Sequence, residues 1–481
     1  MSLSKELKIG VPVALGAPLA VCAGRAVACK KELPDKEPAV KWTKEEEQLY
    51  AEKLSAMVQI PTISKKQDEP YEDFITFQKK LAELFPRVFA TFENHDVDGN
   101  LLRRWKGSDP SKNGVLFMGH QDVVPVDQAG WTKDPFSGAI EDGCVWGCGS
   151  MDCKSTVFCE LQAMEELLEQ GFVPKQDIWF SASRNEENSG GGAEAAVNYL
   201  KESGVKLDLV MDEGGAIVTG LFPGLAAPVA GIGVLEKGFV NVKFTAKSDG
   251  GHASAPPPHT PVGILSRACC ALEDHPFPAH ITEPVAKMFD TLGRRSSFVY
   301  RIIFANLWCF GSLLGALSRR SGGEMNALLR TTVAFTMMQG SSVRNVLPPE
   351  AAMVANIRLN PADSMESALE YVRKTVDDPR VELTVLQGME PSRISKSDGD
   401  AYRKVADAVE ATWPGCIATP YLMVQCSDSR HYGSISDRVY RFSAMDLTKE
   451  ERGLIHGNNE RIRVETVGKA VEFYIRLMRL C

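Results

Sequence analysis

The sequence predicts an α/β protein. A large domain with a mixed, largely parallel sheet flanked by helices is interrupted by a smaller inserted α+β domain. Three observations carry this expectation. Short apolar runs at Val115–Met118, Ile178–Ser183 and Leu207–Met211 alternate with helical patterns in the first half of the chain. The alternation stops after Gly233, where Val240, Val242 and Phe244 follow the every-second-residue pattern of a half-exposed strand, and it resumes near Ser397. Finally, 481 residues exceed what one hydrophobic core usually organises. The expected division is an N-terminal arm over 1–42, the large domain over 43–233 and 393–481, and the insertion over 234–392.

Composition narrows the partners. A formal net charge of −8 argues against nucleic acid. The twelve cysteines show no disulfide-scaffold spacing, which favours a reducing, cytoplasmic setting. Cys144, Cys148, Cys153 and Cys159 are close in sequence, but no Cys-x-x-Cys pair is present to chelate zinc. The weakly apolar run Ile9–Gly24 is shorter than the roughly 20 residues a bilayer span needs. A surface-docked or disordered arm is expected there, with a degenerate signal or anchor as the alternative. Phe298–Leu317 is also apolar, but Arg301, Asn306 and Ser312 interrupt it, so a buried lid helix is expected rather than a membrane span.

The elements follow in order. Thr43-Lys-Glu-Glu46 has the form of a capping box, so ordered structure is expected to begin at Thr43, with a helix from Lys44 to Val58 that Pro61 stops. A second helix is expected over Phe74–Leu84. Val157, Leu161, Met164 and Leu168 recur on one face of a helix over Lys154–Gln170, with Asp152 near its N-cap and Gly171 after its end. Another helix over Ala193–Glu202 ends at Gly204. In the insertion, strands Ala351–Leu359 and Val381–Leu386 flank a helix over Ser364–Val376. The closing part carries helices Ala401–Trp413 and Val464–Leu480 around the polar turn Cys426–Tyr432.

The chemistry sits where the apolar runs end. His120-Gln-Asp122 follows the first run, Glu186-Glu187 the second, and Asp212 the third. Ligand sites in open α/β sheets form outside the carboxyl ends of the strands, so these groups can converge although they are distant in sequence. Imidazole and carboxylate are donors that zinc accepts, and His456 adds a second imidazole. Taken alone, Asp152 reads as a helix cap and Glu186-Glu187 as a solvated pair. It is their joint occurrence that points to a metal centre.

Seven motifs in one order carry a resemblance: His120-Gln-Asp122, Trp131 with Asp134-Pro-Phe136, Asp152-Cys-Lys154, Glu186-Glu187, Asp212-Glu-Gly-Gly215, Gly251-His252-Ala-Ser254 and His456-Gly-Asn-Asn-Glu460. In them, residues 45–480 resemble the dinuclear zinc exopeptidases that include aminoacylase, succinyl-diaminopimelate desuccinylase, glutamate carboxypeptidase and carboxypeptidase S. The carboxypeptidase S branch is the nearest in pattern. The resemblance implies a zinc-exopeptidase catalytic domain with an inserted lid and dimerisation domain. It implies two zinc ions per subunit, with cobalt or manganese as alternatives. His120 and Asp212 would hold one ion, Glu187 and His456 the other, and Asp152 would bridge them. Asp122 would orient His120, Glu186 would be the general base, and His252 would stabilise the oxyanion. Arg358 and Asn345 would face a substrate carboxylate, and Arg430 would either join them or tie down its loop. A non-proline cis peptide is implied at Asp152–Cys153.

The implied reaction is hydrolysis of an amide next to a free carboxylate, in small peptides or N-acyl amino acids. An aminoacylase or dipeptidase is the alternative on the same centre, and a non-catalytic binder is a different class that the intact Glu186 speaks against. A homodimer through the lid is implied, with His252 acting on the partner's site. The chain departs from the family pattern at Cys148, where arginine is frequent, and at Asn185, where aspartate is frequent.

Overall fold

The computed structural model describes residues 18–34, 42–66, 69–220 and 222–481. Its largest element is an eight-stranded sheet with the order Glu93–Val97, Asn100–Trp105, Ile178–Ser183, Gly114–His120, Leu207–Val218, Val439–Leu447, Val229–Glu236, Ile417–Met423. Its central strands run parallel: Gly114–His120 pairs in parallel with both Ile178–Ser183 and Leu207–Val218, which also pairs in parallel with Val439–Leu447. The outer hairpin Glu93–Val97/Asn100–Trp105 is antiparallel, so the sheet is mixed. Buried on both faces, the central strands are continuously apolar, which is why their sequences read as runs rather than alternations.

The helices cover this sheet. Lys44–Val58 begins at the capping box: Thr43 Oγ1 accepts from the Glu46 N–H, and the Glu46 carboxylate accepts from the Thr43 N–H. Lys154–Glu169 buries Val157, Leu161 and Met164 in the main core. Its N-cap is Cys153 rather than Asp152, and no side chain caps it, which leaves the Asp152 carboxylate free for another role. The closing helix Val464–Arg479 packs beside it.

The insertion holds a four-stranded antiparallel sheet in the order Thr332–Gln339, Glu350–Leu359, Gly238–Lys247, Val381–Met389. Helices Pro261–Asp274 and Met365–Val376 cover it, and the layer has its own core around Val242, Phe244, Leu265 and Ile357. Its middle portion behaves differently. Helices Glu283–Gly293, Phe298–Phe304, Leu307–Ser321 and Gly323–Leu329 leave the lid and return to the large domain, where Met288, Phe289, Leu292, Phe304 and Leu328 join the main core.

Two expectations are corrected here. Phe298–Leu317 is not one buried lid helix: it is two helices bent by 101° at Ala305-Asn306, with an outer face in solvent. Trp308 is 64% exposed and Leu317 55%. Ordered structure also begins before Thr43, because a helix over Pro18–Ala28 docks on this bent pair: Cys22 and Ala26 are buried, and Asn306 Nδ2 donates to the Cys22 carbonyl at 3.1 Å. Tertiary contact supplies what that segment's own capping signals lack. The remainder of the Ile9–Gly24 run, residues 9–17, lies outside the described residues. Among the described residues, no single helix is long and apolar enough to cross a membrane.

Candidate metal centre

Each central strand delivers a polar group at its carboxyl end. His120 is the last residue of its strand, its ring is buried, and its orientation is set by Asp122. His120 Nδ1 lies 2.9 Å from the Asp122 carbonyl and 3.4 Å from Asp122 Oδ1. The same Asp122 carboxylate accepts the N–H groups of Glu186 at 3.1 Å and Glu187 at 3.0 Å. One buried carboxylate thus positions both the imidazole and the two-glutamate turn after the neighbouring strand.

His120 Nε2 points at Asp152 Oδ1, 3.1 Å away, and at Glu213 Oε1, 3.3 Å away. On the other side, His456 Nε2 lies 3.1 Å from Asp152 Oδ2 and 3.1 Å from Glu187 Oε2. Asp152 therefore presents one oxygen to each histidine, which is the arrangement of a bridging carboxylate. Two donor groups result, one of His120, Asp152 and Glu213, the other of Asp152, Glu187 and His456. Two imidazoles with three carboxylates is a set that suits zinc and other borderline cations. The peptide bond Asp152–Cys153 is cis, as the resemblance implied.

The electrostatics also fit cations. Burial pushes the Glu186 carboxyl well up, and burial beside the Asp152 charge pushes Glu213 up to about 8. Hydrogen bonds that the His456 ring donates to the Asp152 and Glu187 carboxylates raise it to about 10. Against the burial that would raise it, the two imidazoles hold Asp152 below the usual carboxylate range.

Two residues stand differently from the sequence expectation. Asp212 is not in either donor group. It turns to the loop after Met423, where Oδ2 accepts the Ser429 N–H at 3.0 Å, and Glu213 beside it faces His120 instead. Glu460 belongs to the site although no role was read for it. Its carboxylate accepts the N–H groups of Gly149 at 3.1 Å, Met151 at 2.6 Å and Asp152 at 3.1 Å, which fixes the loop that presents Asp152. Its distance of only four residues from His456 along the chain was the available signal, since both ends of so short a segment meet one site. Cys153 Sγ also comes close to His120, but it accepts that residue's backbone N–H at 3.1 Å, and burial pushes its thiol well up.

The lid candidates lie apart from the donors. His252 is exposed on the short strand Gly251–His252, where Nδ1 meets Ser254 Oγ at 2.7 Å. The Asn345 carbonyl accepts from Ala253 nearby, so His252 and Asn345 share one patch of the lid. Arg358 reaches the site's edge: its guanidinium donates to Cys426 Sγ at 3.4 Å and lies over the Phe239 ring. Arg430 is a tie, donating to the Glu390 carbonyl at 2.9 Å and lying 3.6 Å from Glu236.

The donors open into a cavity of about 680 Å³. One end is lined by Asp152, Glu186, Glu187, Glu213 and His456. The cavity wall also carries the apolar side chains of Phe222, Met288, Leu292, Leu328 and Met445. Three of these, Met288, Leu292 and Leu328, come from the returning helices. Glu324 holds those helices in place by accepting from Tyr421 Oη at 2.8 Å and from Arg452 at 3.3 Å.

Comparison with known proteins places the chain. It is 36% identical over 443 residues to the N-fatty-acyl-amino acid synthase/hydrolase PM20D1 of Xenopus tropicalis, covering 91% of this chain and 86% of that one. It is 32% identical over 442 residues to the probable carboxypeptidase S-like 2 of Dictyostelium discoideum, covering 89% and 84%. Among solved structures, the M20 family metallo-carboxypeptidase Sso-CP2 from Sulfolobus solfataricus shares the fold at TM-score 0.66 and 16% identity, covering 90% of this chain and 98% of that one. Human carnosine dipeptidase 1 does so at TM-score 0.65 and 17% identity, covering 91% and 96%. Residues 116–480 match Peptidase family M20/M25/M40. The chain belongs to peptidase family M20/M25/M40 and is an enzyme of that amide-hydrolysing family.

Proposed function

We infer that this enzyme hydrolyses N-acyl amino acids whose acyl part is long and apolar, using two metal ions, zinc in the first instance. His120, Asp152 and Glu213 would hold one ion, and Asp152, Glu187 and His456 the other. When bound, such ions polarise an amide carbonyl and make a neighbouring water more acidic. Glu186 lines the same cavity end without belonging to either donor group, so it is the group free to act on protons. It takes a proton from the attacking water and returns it to the amide nitrogen as the C–N bond breaks, giving a carboxylic acid and a free amino acid. Burial raises the affinity of its carboxylate for a proton, which favours the first transfer. Asp122 holds Glu186 and His120 in register throughout.

One observation carries the choice of acyl substrate over peptide: the cavity that holds the carboxylate donors is also lined by the apolar side chains Phe222, Met288 and Leu328. The relative named N-fatty-acyl-amino acid synthase/hydrolase supports it. The amino acid carboxylate would then meet Arg358 of the lid. His252, with Asn345 beside it, would serve the neighbouring site of a lid-paired homodimer. Twelve unpaired cysteines support a reducing compartment.

The test is a chain-length series of N-acyl phenylalanines, run beside Gly-X dipeptides. Each methylene seated in the cavity contributes about 0.8 kcal/mol, so kcat/KM should climb about fourfold per carbon until the cavity is full. A flat series, with faster turnover of the dipeptides, would transfer the assignment to a peptidase.

A further inference from the structure

The returning helices have two apolar faces. The inner face walls the cavity and the main core: Met288, Leu292 and Leu328 line the cavity, and the Phe304 ring packs tilted against the cavity residue Phe222 with ring centroids 4.5 Å apart. The outer face has no partner among the described residues. On Leu307–Ser321 the exposed positions Trp308, Cys309, Ser312, Leu313, Ala316 and Leu317 make up an uncharged exposed half of the helix, with Trp308 at one rim and Leu317 at the other. Val299 on the shorter helix and Val21 and Val27 on the docked N-terminal helix extend the patch. A solvent-facing helix half normally carries charge along its length, and this one carries it only in its last turn, at Arg319 and Arg320.

The charge around this patch is opposite to that of the whole chain. Segments 18–31 and 291–323 contain eight Lys and Arg residues, three in the first and five in the second, and no Asp or Glu, in a chain of net charge −8. Of these, Arg25, Lys30, Lys31, Arg319 and Arg320 are exposed. Apolar side chains bordered by cations, on helices that dock on one another and are too short or too bent to span, form an interfacial surface. The 101° bend rules out a straight crossing by the pair.

We propose that this face docks on an anionic phospholipid bilayer, with Trp308, Leu313 and Leu317 entering the acyl boundary and the exposed Arg and Lys residues meeting the headgroups. Docking itself rests on the patch and its charge alone. Its purpose rests on the acyl-substrate reading above: the same helices that touch the lipid wall the cavity, so an amphiphilic substrate has a short path from bilayer to site.

The experiment measures binding and turnover separately. The full-length chain is floated with vesicles of phosphatidylcholine alone and of phosphatidylcholine with phosphatidylserine. Binding is expected to the second, to fall with salt, and to weaken about fivefold for each of Arg319→Gln and Arg320→Gln. The combined Trp308→Asp, Leu313→Asp and Leu317→Asp variant should bind at least about 100-fold more weakly, yet turn over a soluble N-acetyl amino acid as the parent does, which shows that it is folded. Brominated acyl chains should quench tryptophan emission in the parent and less so in Trp308→Phe. Equal flotation of parent and triple variant would overturn the proposal, as would binding that disappears only when residues 1–17 are removed. A dimer in lipid-free solution that the triple variant dissolves would assign the face to a second copy and overturn it too. Absence of activity on long-chain substrates, with flotation intact, would remove the acyl-substrate reading and leave the docking in place.

Discussion

Asp212 and Glu213 are consecutive in the strand Leu207–Val218, so their side chains leave it on opposite faces. A strand end with two adjacent carboxylates offers both, and only the register against the neighbouring strands decides which one meets His120. The outcome has a sharp consequence. Glu213→Ala should lose metal from the His120 side and cost more turnover than the roughly 10–100-fold typical of an outer partner. Asp212→Asn keeps an acceptor for the Ser429 N–H and should retain two metals per chain by elemental analysis. Glu186 is tested in the same way: Glu186→Ala should keep both metals and the fold while kcat drops about 10²–10⁴-fold. Near-normal turnover in the metal-replete variant would move the base elsewhere.

At the scale of elements, the loop 147–152 is the part that most needs external support. It carries Asp152 between two histidines, yet it belongs to no helix or strand. Glu460, reached through the left-handed residues His456 (φ 57°) and Asn459 (φ 64°), supplies that support with three backbone hydrogen bonds. Removing it strands the buried N–H groups of Gly149 and Met151 and the part-buried one of Asp152, each buried group costing roughly 1–3 kcal/mol. Glu460→Ala should therefore lower stability by about 3 kcal/mol or more in denaturant titration and weaken metal binding, even though Glu460 touches no donor atom. Intact stability with intact metal binding would show that the loop holds itself. The capping box at Thr43 is the opposite case, an element whose start depends on residues within one turn of it.

For the whole molecule, the question is what completes the site. His252 and Asn345 lie together on the lid, and the donor groups lie in the large domain. The lid sheet also presents two apolar edges, with Met337 and Met338 exposed on Thr332–Gln339 and Leu386 exposed on Val381–Met389. Exposed edges of this kind pair readily with a second copy. If His252 serves the partner's site, His252→Ala and Glu186→Ala should each be nearly inactive alone. Each mixed dimer then has one site with both lesions and one with neither, so subunit exchange should restore a measurable fraction of activity. Verified heterodimers that stay inactive while both parents fold and bind zinc would confine His252 to its own chain or remove it from the reaction.

The order of chemistry along the chain was legible in the sequence because it depends on local facts. Apolar runs are central strands, their ends are where ligands gather, and His120, Asp152, Glu186, Glu187 and His456 stand at such ends or close beside them in motif order. The helices Lys44–Val58 and Lys154–Glu169 were legible for the same reason, through caps and a single apolar face. Tertiary structure alone decided which of two adjacent carboxylates faces the centre, that Glu460 holds the Asp152 loop, and that the middle of the insertion folds back on the large domain. Each of these turns on what lies across space: strand register, backbone donors some 300 residues away in the chain, and apolar surface on a sheet edge. The run Phe298–Leu317 shows the limit plainly. Its composition is that of a buried helix, and its outer face is exposed because the chain bends at Ala305-Asn306 and the main core has room for only one side of it.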